Sequence, residues 1–222
     1  MTKPIIKAVT PSNADQAVAS VVLAFSADPI ARWFYPDPHQ YLLHLPSFVR
    51  AFAGKAFEHK SAYYVEGYMG AALWLPQDVH PDENELAALL QRSIPEENQR
   101  EIFAFIEQMD NSHPSEPHWY LPMIGVVPAR QGNGYGLALL KHTLERCDAE
   151  GKFAYLEASS PKSVPLYRRH GFELVGTIQV GSSPPLFPML RKPWRQVTAK
   201  DQDYLSANAI ETEPHSTAGF DA

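Results

Sequence analysis

The stretch that most constrains the fold is an apolar segment followed by a glycine-rich turn and an amphipathic segment. Residues 118–127 (HWYLPMIGVV) are aromatic, aliphatic and β-branched, which predicts a strand. Glycine then occupies positions 132, 134 and 136, and beyond them apolar residues recur at helical spacing, at Leu137, Leu140, Leu144 and Cys147. A strand that leads through such a turn into a helix leaves main-chain N–H groups unpaired at the turn. The unit therefore predicts a site for a phosphate-bearing ligand.

Two common phosphate-binding motifs fit this turn poorly. A P-loop ends in Gly-Lys-Ser or Gly-Lys-Thr, whereas here Gly136 is followed by Leu137. A dinucleotide-binding fingerprint needs a third glycine where Leu137 stands, and it belongs to the first βα unit of a domain. The turn of this chain lies past the middle of the sequence. A glycine-rich loop that binds no ligand is the remaining alternative from the pattern alone.

The turn resembles the acyl-CoA-binding motif of the GCN5-related N-acetyltransferases, the GNAT family. The pattern is Gln131-x-x-Gly134-x-Gly136, with Val-Pro before it and Leu-x-x-Leu after it. A second block follows in the expected order: residues 156–159 (LEAS) resemble the family's fifth strand. Residues 163–172 (SVPLYRRHGF) resemble its Asn-x-x-x-x-Tyr-x-x-x-Gly-Phe signature, with Ser163 where asparagine is usual. The two blocks together are more specific than either one.

The resemblance implies an α/β fold with a mixed, mostly antiparallel sheet of six to seven strands flanked by helices, in which strands four and five splay apart. Residues 1–194 are expected to form a single domain, with a helical insertion at about residues 81–110 that could roof the acceptor site. Alternating and apolar runs predict a hairpin of residues 62–65 and 70–75, a sixth strand at 173–180 and a seventh at 186–190. Apolar residues are less frequent in residues 195–222 than before them, and we expect this C-terminal tail to be disordered.

Acetyl-CoA is the co-substrate that the resemblance implies. Its pantetheine arm would lie along the main chain of the fourth strand, and its pyrophosphate on N–H groups of the turn. The predicted cofactor-binding residues are Ile124, Val126, Gln131, Gly132, Asn133, Gly134, Tyr135, Gly136, Ser163 and Tyr167. We expect Gly134→Val to block cofactor binding and to leave the fold intact.

The catalytic candidates are Tyr167, Glu157 and His118. An alkylamine has a pKa of about 10.4 and must lose a proton before it attacks a thioester. By resemblance, Tyr167 would be the proton donor to the leaving thiolate, and packing under its helix is its structural alternative. Glu157 and His118 are candidates for the general base, although each could have a structural role and the substrate could arrive deprotonated. The Ile124 N–H is the candidate donor to the tetrahedral oxyanion.

Four aromatic residues are the candidate wall of the acceptor pocket: Trp33, Phe34, Tyr35 and Trp74. Ordinary core packing is their alternative role. If they line the pocket, they favour an apolar or aromatic small-molecule amine as the acceptor.

Composition excludes several other classes. The net charge of −6 and the absence of a Lys/Arg cluster argue against a nucleic-acid partner. One cysteine allows no internal disulfide, and the histidine spacing predicts no metal site. Without a signal peptide or a long apolar run, we expect a cytoplasmic protein with no membrane partner. The oligomeric state is open.

The function predicted from these observations is transfer of an acetyl group from acetyl-CoA to the amine of a small molecule. A non-catalytic acyl-CoA-binding or sensor protein on the same fold is the alternative, and it would bind acetyl-CoA without releasing thiol. A nucleotide-binding oxidoreductase would bind NAD(P) and not CoA.

Overall fold

A computed structural model describes residues 4–194 of the chain, so the predicted C-terminal tail (195–222) lies outside the described residues. Seven strands and eight helices follow one another in that part. In chain order they are β1 (Ile6–Ala8), α1 (Ala14–Ala24), α2 (Pro29–Phe34), α3 (Pro38–Ala53), α4 (Lys55–Glu58), β2 (Ala62–Val65), β3 (Gly70–Leu75), α5 (Glu83–Ser93), α6 (Glu96–Asp110), β4 (His118–Val126), α7 (Tyr135–Ala149), β5 (Phe153–Ala158), α8 (Val164–Arg168), β6 (Phe172–Leu174) and β7 (Phe187–Arg191).

The strands form one sheet in the order β1-β2-β3-β4-β5-β7-β6. Every neighbouring pair is antiparallel except β4 and β5, which run parallel. The parallel pair needs a crossover, and α7 is that connection. The mixed, mostly antiparallel sheet predicted for this chain is confirmed.

Strands β4 and β5 pair over only part of their length. Residues His118–Tyr120 pair with Phe153–Tyr155, and the two strands then separate. The other edge of β5 stays paired with β7 from Ala154 to Ala158. The separation therefore affects the β4–β5 pair and does not extend to the β5–β7 pair. This gap in the middle of the sheet positions the candidate site.

Side chains of the sheet contribute to two apolar layers, one on each face. Along β3, Ala71, Leu73 and Leu75 point into the first layer, which α1, α3, α5 and α6 cover. The intervening Trp74 points into the second layer, which α7 covers with residues such as Leu140 and Leu144. All six residues of β3 are buried, as expected for a strand with helices on both faces.

Helices α2 and α3 begin with the same local signal. The Asp28 carboxylate accepts hydrogen bonds of 3.0 Å from the N–H groups of Ile30 and Ala31, and Asp37 caps α3 in the same way. Each aspartate precedes a proline at the first helical position, where the missing N–H is not needed. This is why the aromatic, proline-rich stretch at 28–38 contains a helix.

The prediction of a sixth strand over residues 173–180 is wrong in its extent. Strand β6 ends at Leu174, and only an isolated bridge joins Ile178 to Leu186 beyond it. The Val175 N–H donates to the Pro188 carbonyl at 2.9 Å, but Pro188 has no N–H with which to extend the ladder.

None of the helices within residues 4–194 has the length and apolar character to cross a bilayer.

Candidate active site

A cavity of about 440 Å³ occupies the gap between β4 and β5. Its walls include Tyr120 and Met123 from the first apolar layer and Leu121, Leu156 and Tyr167 from the second. The cavity therefore extends through the sheet and reaches both of its faces.

The edge of β4 turns main-chain groups toward this cavity. The Val127 N–H donates a hydrogen bond of 3.0 Å to the Met69 carbonyl, on the β3 side. Because main-chain groups alternate in direction along a strand, those of Val126 and Ile124 point the other way, into the gap. Both residues border the cavity. The Val126 carbonyl accepts a long hydrogen bond of 3.3 Å from the Gln131 side-chain amide, and no neighbouring strand within residues 4–194 pairs with this part of the edge. The edge can therefore receive an extended, amide-bearing ligand as an added strand.

The glycine-rich turn has the backbone conformation that its sequence indicates. Gly132 and Gly134 have φ of 79° and 78°, in the left-handed region that favours glycine, and Gly134 is the N-cap of α7. The Asn133 side-chain amide donates to the carbonyls of Arg130 and Gln131, at 3.0 and 3.2 Å. These bonds hold the turn against the N-terminus of α7, where unpaired N–H groups can bind an anion.

The expectation that Gly134→Val leaves the fold intact is corrected by this conformation. A β-carbon at Gly134 would meet no atom within 4 Å, so the obstacle is backbone strain and not space. A β-branched residue is strongly disfavoured in the left-handed region. The valine variant would lose stability as well as any ligand.

Of the ten predicted cofactor-binding residues, six border the cavity: Ile124, Val126, Gln131, Gly136, Ser163 and Tyr167. Of the other four, Gly132, Asn133 and Gly134 belong to the turn, and Tyr135 is the first residue of α7. Lys162 also borders the cavity and was missed in the sequence because no motif position marks it. Its positively charged ammonium group can pair with a negatively charged phosphate.

Tyr167 lies on α8 and borders the cavity. Its ring packs edge-on against Phe172, with centroids 5.9 Å apart. Burial raises the pKa of Tyr167 to about 12, and the Asp28 carboxylate acts in the same direction. The phenol is therefore protonated at any physiological pH and can donate a hydrogen bond to a group in the cavity.

Glu157 on β5 places a carboxyl group in the same cavity. Its side chain is only 3% exposed, and among the described residues Oε1 has no hydrogen-bond partner. Burial raises the pKa of Glu157 to about 7, while the hydroxyls of Tyr120 and Tyr155 oppose that rise. A buried polar atom without a partner needs an explanation, and a bound amine would supply one.

His118, one of the two predicted candidates for the general base, does not border the main cavity, and its role as a base stays a prediction. It borders a second, smaller cavity together with His113, a loop residue that the sequence did not single out. The Nδ1 of His113 is 3.1 Å from the Nε2 of His118. On the other side, the Nε2 of His113 is 3.7 Å from the Oε1 of Glu157. His113 thus stands between the two groups that the sequence suggested as the general base.

Only one of the four predicted aromatic wall residues, Phe34, borders the cavity. Trp33 packs against Phe105 and donates from its indole N–H to the Ser182 hydroxyl at 3.1 Å. The buried Tyr35 shares a hydrogen bond of 2.9 Å with the Ser93 hydroxyl. Trp74 points to the opposite face of the sheet, into the layer covered by α7.

The apolar wall comes instead from helices α3 and α6. Phe48 and Phe52 project from α3, and Ile106 and Met109 from α6. The sequence indicated helical faces at both places, but it does not distinguish a side chain that lines a cavity from one that fills a core. Helix α6, which lies in the predicted insertion at 81–110, therefore contributes to the wall.

Asp28 is a second carboxylate of the site, also missed in the sequence. It borders the cavity and accepts a hydrogen bond from the Ser159 hydroxyl at the end of β5. Burial raises the pKa of Asp28, and the hydrogen bonds that it accepts act against the rise.

Within residues 4–194, no group of three or more His, Cys, Asp or Glu is arranged to hold a metal ion.

Residues 84–192 match a family model described as an acetyltransferase (GNAT) domain. A mycothiol acetyltransferase from Mycolicibacterium gilvum is 41% identical over 63 residues, which cover 25% of this chain and 21% of that protein. The match thus spans about a fifth of that relative's length.

Solved structures share the fold. A histone acetyltransferase HPA2 and related acetyltransferase from Corynebacterium glutamicum superposes with a TM-score of 0.64 at 23% identity, over 89% of this chain and 100% of that one. A polyamine N-acetyltransferase from Drosophila melanogaster gives a TM-score of 0.59 at 16% identity, over 86% and 100% of the two chains. Residues 84–192 thus match the GNAT acetyltransferase domain, and the parted strands β4 and β5 belong to a fold that this chain shares with solved acetyltransferases.

Proposed function

We propose that the protein transfers an acetyl group from acetyl-CoA directly to the amine of a small molecule. One observation carries the proposal: a single cavity brings together the edge of β4 beyond its pairing with β5, a protonated phenol and a buried carboxyl group whose Oε1 has no hydrogen-bond partner among the described residues. Acyl transfer to an amine needs these three things, namely a place for the acyl donor, a donor for the leaving group and an acceptor for the amine's proton.

Acetyl-CoA would lie with its pantetheine arm along Ile124 and Val126 and its pyrophosphate on the turn at 131–136. Lys162 would add a positive charge beside the phosphates. The thioester would then face Glu157 and Tyr167 inside the gap. Tyr167 and the main-chain edge come from different elements, α8 and β4, and both border the cavity.

Glu157 would accept the proton of the incoming ammonium group. Its pKa of about 7 allows this exchange near neutral pH, where an ordinary carboxyl group would be too weak a base. The free amine then attacks the thioester carbonyl, and the Ile124 N–H would stabilise the oxyanion. One proton of the amine nitrogen must leave as the amide forms.

Tyr167 would hydrogen-bond the sulfur of the leaving group. A phenol with a pKa of about 12 does not give up its proton fully to a thiolate whose pKa is about 8.5. Stabilisation by the hydrogen bond, with the proton finally supplied from the amine nitrogen, fits these values better than outright protonation by the tyrosine.

The acceptor would be a small amine with an apolar body. Phe34, Phe48, Phe52, Ile106 and Met109 surround the part of the cavity on the α3 and α6 side. The two carboxyl groups nearby are Asp28, whose oxygens already accept three hydrogen bonds, and Glu157. An amine with one cationic end and an aromatic or branched alkyl body matches this lining better than a polyamine does.

The test is incubation of the full chain with acetyl-CoA and an amine panel, with release of free CoA thiol as the readout. The panel contains phenylalkylamines, branched alkylamines, agmatine and spermidine, and Tyr167→Phe is the control enzyme. We expect turnover with apolar amines and a much lower rate for the control. Binding of acetyl-CoA without thiol release from any amine would indicate an acyl-CoA-binding protein instead.

A further inference from the structure

The loop between β6 and β7 reaches across to two helices of the acceptor wall. The Ser182 hydroxyl donates a hydrogen bond of 2.7 Å to the Glu101 carboxylate on α6, and the Ser182 main-chain N–H donates to the same carboxylate at 2.5 Å. The Trp33 indole N–H of α2 donates to the Ser182 hydroxyl at 3.1 Å. One serine thus joins a loop to two helices that are distant in sequence, and we call Trp33, Glu101 and Ser182 the clasp.

The Ser182 hydroxyl uses both of its hydrogen-bonding roles in the clasp. A hydroxyl group has one proton to donate and can also accept, and here it donates to Glu101 and accepts from Trp33. Hydrogen bonds to a charged carboxylate are stronger than those between neutral groups. Because bonds in series polarise one another, the loss of any member should weaken the others.

Gly181 makes room for the Glu101 carboxylate. A β-carbon at position 181 would lie 1.4 Å from Glu101 Oε1, so only glycine permits this close approach. Gly181 also has a φ of 51°, in the left-handed region that other residues rarely adopt. The backbone of the loop is thus adapted to the carboxylate, which a chance contact between two surface side chains would not require.

The loop that carries Ser182 is itself held in shape. The Ser183 hydroxyl is buried and accepts a hydrogen bond of 2.9 Å from the Val180 N–H, while the Ser183 N–H donates to the Val180 carbonyl at 2.9 Å. At the base of the loop, Ile178 and Leu186 exchange two main-chain hydrogen bonds of 2.8 and 2.9 Å. A shift of Ser182 would therefore be passed on to Leu186.

Each element that the clasp joins contributes a residue to the wall of the main cavity. Phe34 follows Trp33 directly on α2 and borders the cavity. Ile106 borders it from α6, and Leu186 borders it from the end of the loop. Phe105, next to Ile106, packs against the rings of Trp33 and Phe34, with centroids 5.3 and 6.1 Å away. The clasp itself does not border the cavity and holds these three parts of the wall together.

We propose that Trp33, Glu101 and Ser182 are positioning residues that set the width of the acceptor cavity and so limit the size of the amine's apolar body. The inference deepens the proposed acetyl transfer and rests on it, since both concern the same cavity. Apolar contacts depend on close packing, so a wall that can move holds a fitting amine less tightly and admits one that is too large. None of the three residues belongs to β4 or to the turn at 131–136, so acetyl-CoA should bind as before.

The experiment compares two amines with the same reacting end, phenylethylamine and the larger naphthylethylamine. The readout for each enzyme is the ratio of kcat/KM for the small amine to kcat/KM for the large one, measured by release of free CoA thiol. In Ser182→Ala and Glu101→Gln we expect the KM for phenylethylamine to rise about tenfold and the ratio to fall by a similar factor. The kcat and the KM for acetyl-CoA should stay within about twofold of wild type.

Three further variants separate positioning from a general loss of stability. Trp33→Phe keeps a ring against Phe105 and removes only the N–H donor, so it should also lower the ratio. Ser182→Thr keeps the hydroxyl and should retain the wild-type ratio. Glu97→Gln, one turn earlier on the exposed face of α6, is the matched control for Glu101→Gln and should behave as wild type.

Gly181→Ala tests the clasp without changing any of its three residues. Its β-carbon would displace the Glu101 carboxylate, so the variant should reproduce the altered ratio of Glu101→Gln. The double variant should lose little more than either single one, because both substitutions break the same contact.

The outcomes separate the two proposals. If wild type acetylates amines and Ser182→Ala, Glu101→Gln and Trp33→Phe keep its ratio, the clasp does not set specificity and acetyl transfer stands. If these variants lose kcat equally for both amines, together with thermal stability, the clasp is only structural and the inference is wrong.

Calorimetric titration of the two amines into the full chain saturated with CoA gives the ratio of their affinities without turnover. If wild type binds the amines but transfers no acetyl group, the proposed function fails. The clasp is then supported by variants that lose the wild-type preference for the small amine, and contradicted by variants that keep it.

Discussion

The Ser159 hydroxyl donates a hydrogen bond to the Asp28 carboxylate, which joins the end of β5 to the start of α2 across the mouth of the cavity. Asp28 uses its other oxygen to cap α2. One carboxylate therefore sets the position of the helix that carries Phe34 and ties it to the strand that carries Glu157.

We expect Asp28→Ala to lower the free energy of unfolding by about 1–2 kcal/mol, because the N-cap of α2 is lost. Asp28→Asn retains a capping oxygen and should lose only a fraction of that amount. Ser159→Ala removes the link but not the cap, so it should chiefly weaken the affinity for the amine. Urea denaturation and amine KM values measure the two effects, and equal destabilisation by the alanine and asparagine variants at 28 would contradict this account.

Gly136 offers a cleaner probe of the cofactor site than Gly134. It lies in the first turn of α7, and a β-carbon there would be 3.5 Å from Val126 Cγ2, an ordinary contact. Gly136→Ala should therefore raise stability by about 0.5–1 kcal/mol through helix propensity. Its methyl group borders the cavity, so acetyl-CoA affinity should fall about tenfold or more.

Gly134→Ala is the matched comparison, since the left-handed backbone there should cost about 1 kcal/mol of stability. Calorimetric titration measures the acetyl-CoA affinity of the two variants, and thermal unfolding measures their stability. Gly136→Ala with unchanged acetyl-CoA affinity would argue that the turn does not bind the cofactor.

Tyr167→Phe removes the only polar atom of a side chain that otherwise packs on Phe172. We expect kcat to fall by about 10²-fold, with acetyl-CoA affinity and thermal stability close to wild type. Since the pKa of Tyr167 is about 12, no loss of activity below about pH 10 should trace to this phenol. The dependence of kcat on pH in wild type and in Tyr167→Phe tests this expectation. A fall in wild-type kcat near pH 8 that is absent from Tyr167→Phe would contradict the assignment.

Glu157 should give the acid limb of the activity profile. As the base must be ionised, kcat/KM is expected to rise with pH and to level off above a pKa of about 7. Glu157→Gln should remove that limb together with most of the activity.

The same carboxyl group should reduce stability at high pH. Its folded-state pKa is raised, so the folded protein retains a proton that the unfolded chain releases, and stability is lost as the pH rises through about 7. Glu157→Gln should then be more stable than wild type by up to about 3 kcal/mol at pH 8 and nearly equal to it at pH 4. Urea denaturation of wild type and Glu157→Gln at pH 4 and pH 8 measures this difference in the free energy of unfolding. A glutamine variant that is less stable than wild type at pH 8 would contradict the argument that the buried charge destabilises the fold.

The strand, the glycine-rich turn and the helix that follows it were predictable because their determinants are local. Glycines at 132 and 134 are demanded by left-handed backbone, and the residues that precede and follow them form a strand and a helix by their own patterns. The parting of β4 and β5 came from the family resemblance. Nothing in the periodicity of either strand indicates where their pairing stops.

The acceptor side was not predictable in the same way. Trp74 and its neighbour Leu73 point to opposite faces, but both faces of β3 are buried, so the sequence carries no polar pattern that assigns either residue to the cavity. His113 lies in a loop before β4, and its position between Glu157 and His118 depends on tertiary packing. Phe52 and Met109 reach the cavity from helices that are distant in sequence.

Tyr120 borders both the main cavity and the smaller cavity that is lined by His113 and His118. Acetyl-CoA is a reactive thioester that water can also cleave, and each such cleavage wastes an acetyl group. The bulk of Tyr120 would keep water in the smaller cavity away from a thioester bound in the main one. A smaller residue at this position, as in Tyr120→Ala, would merge the two compartments, and the ratio of hydrolysed thioester to amide formed should increase.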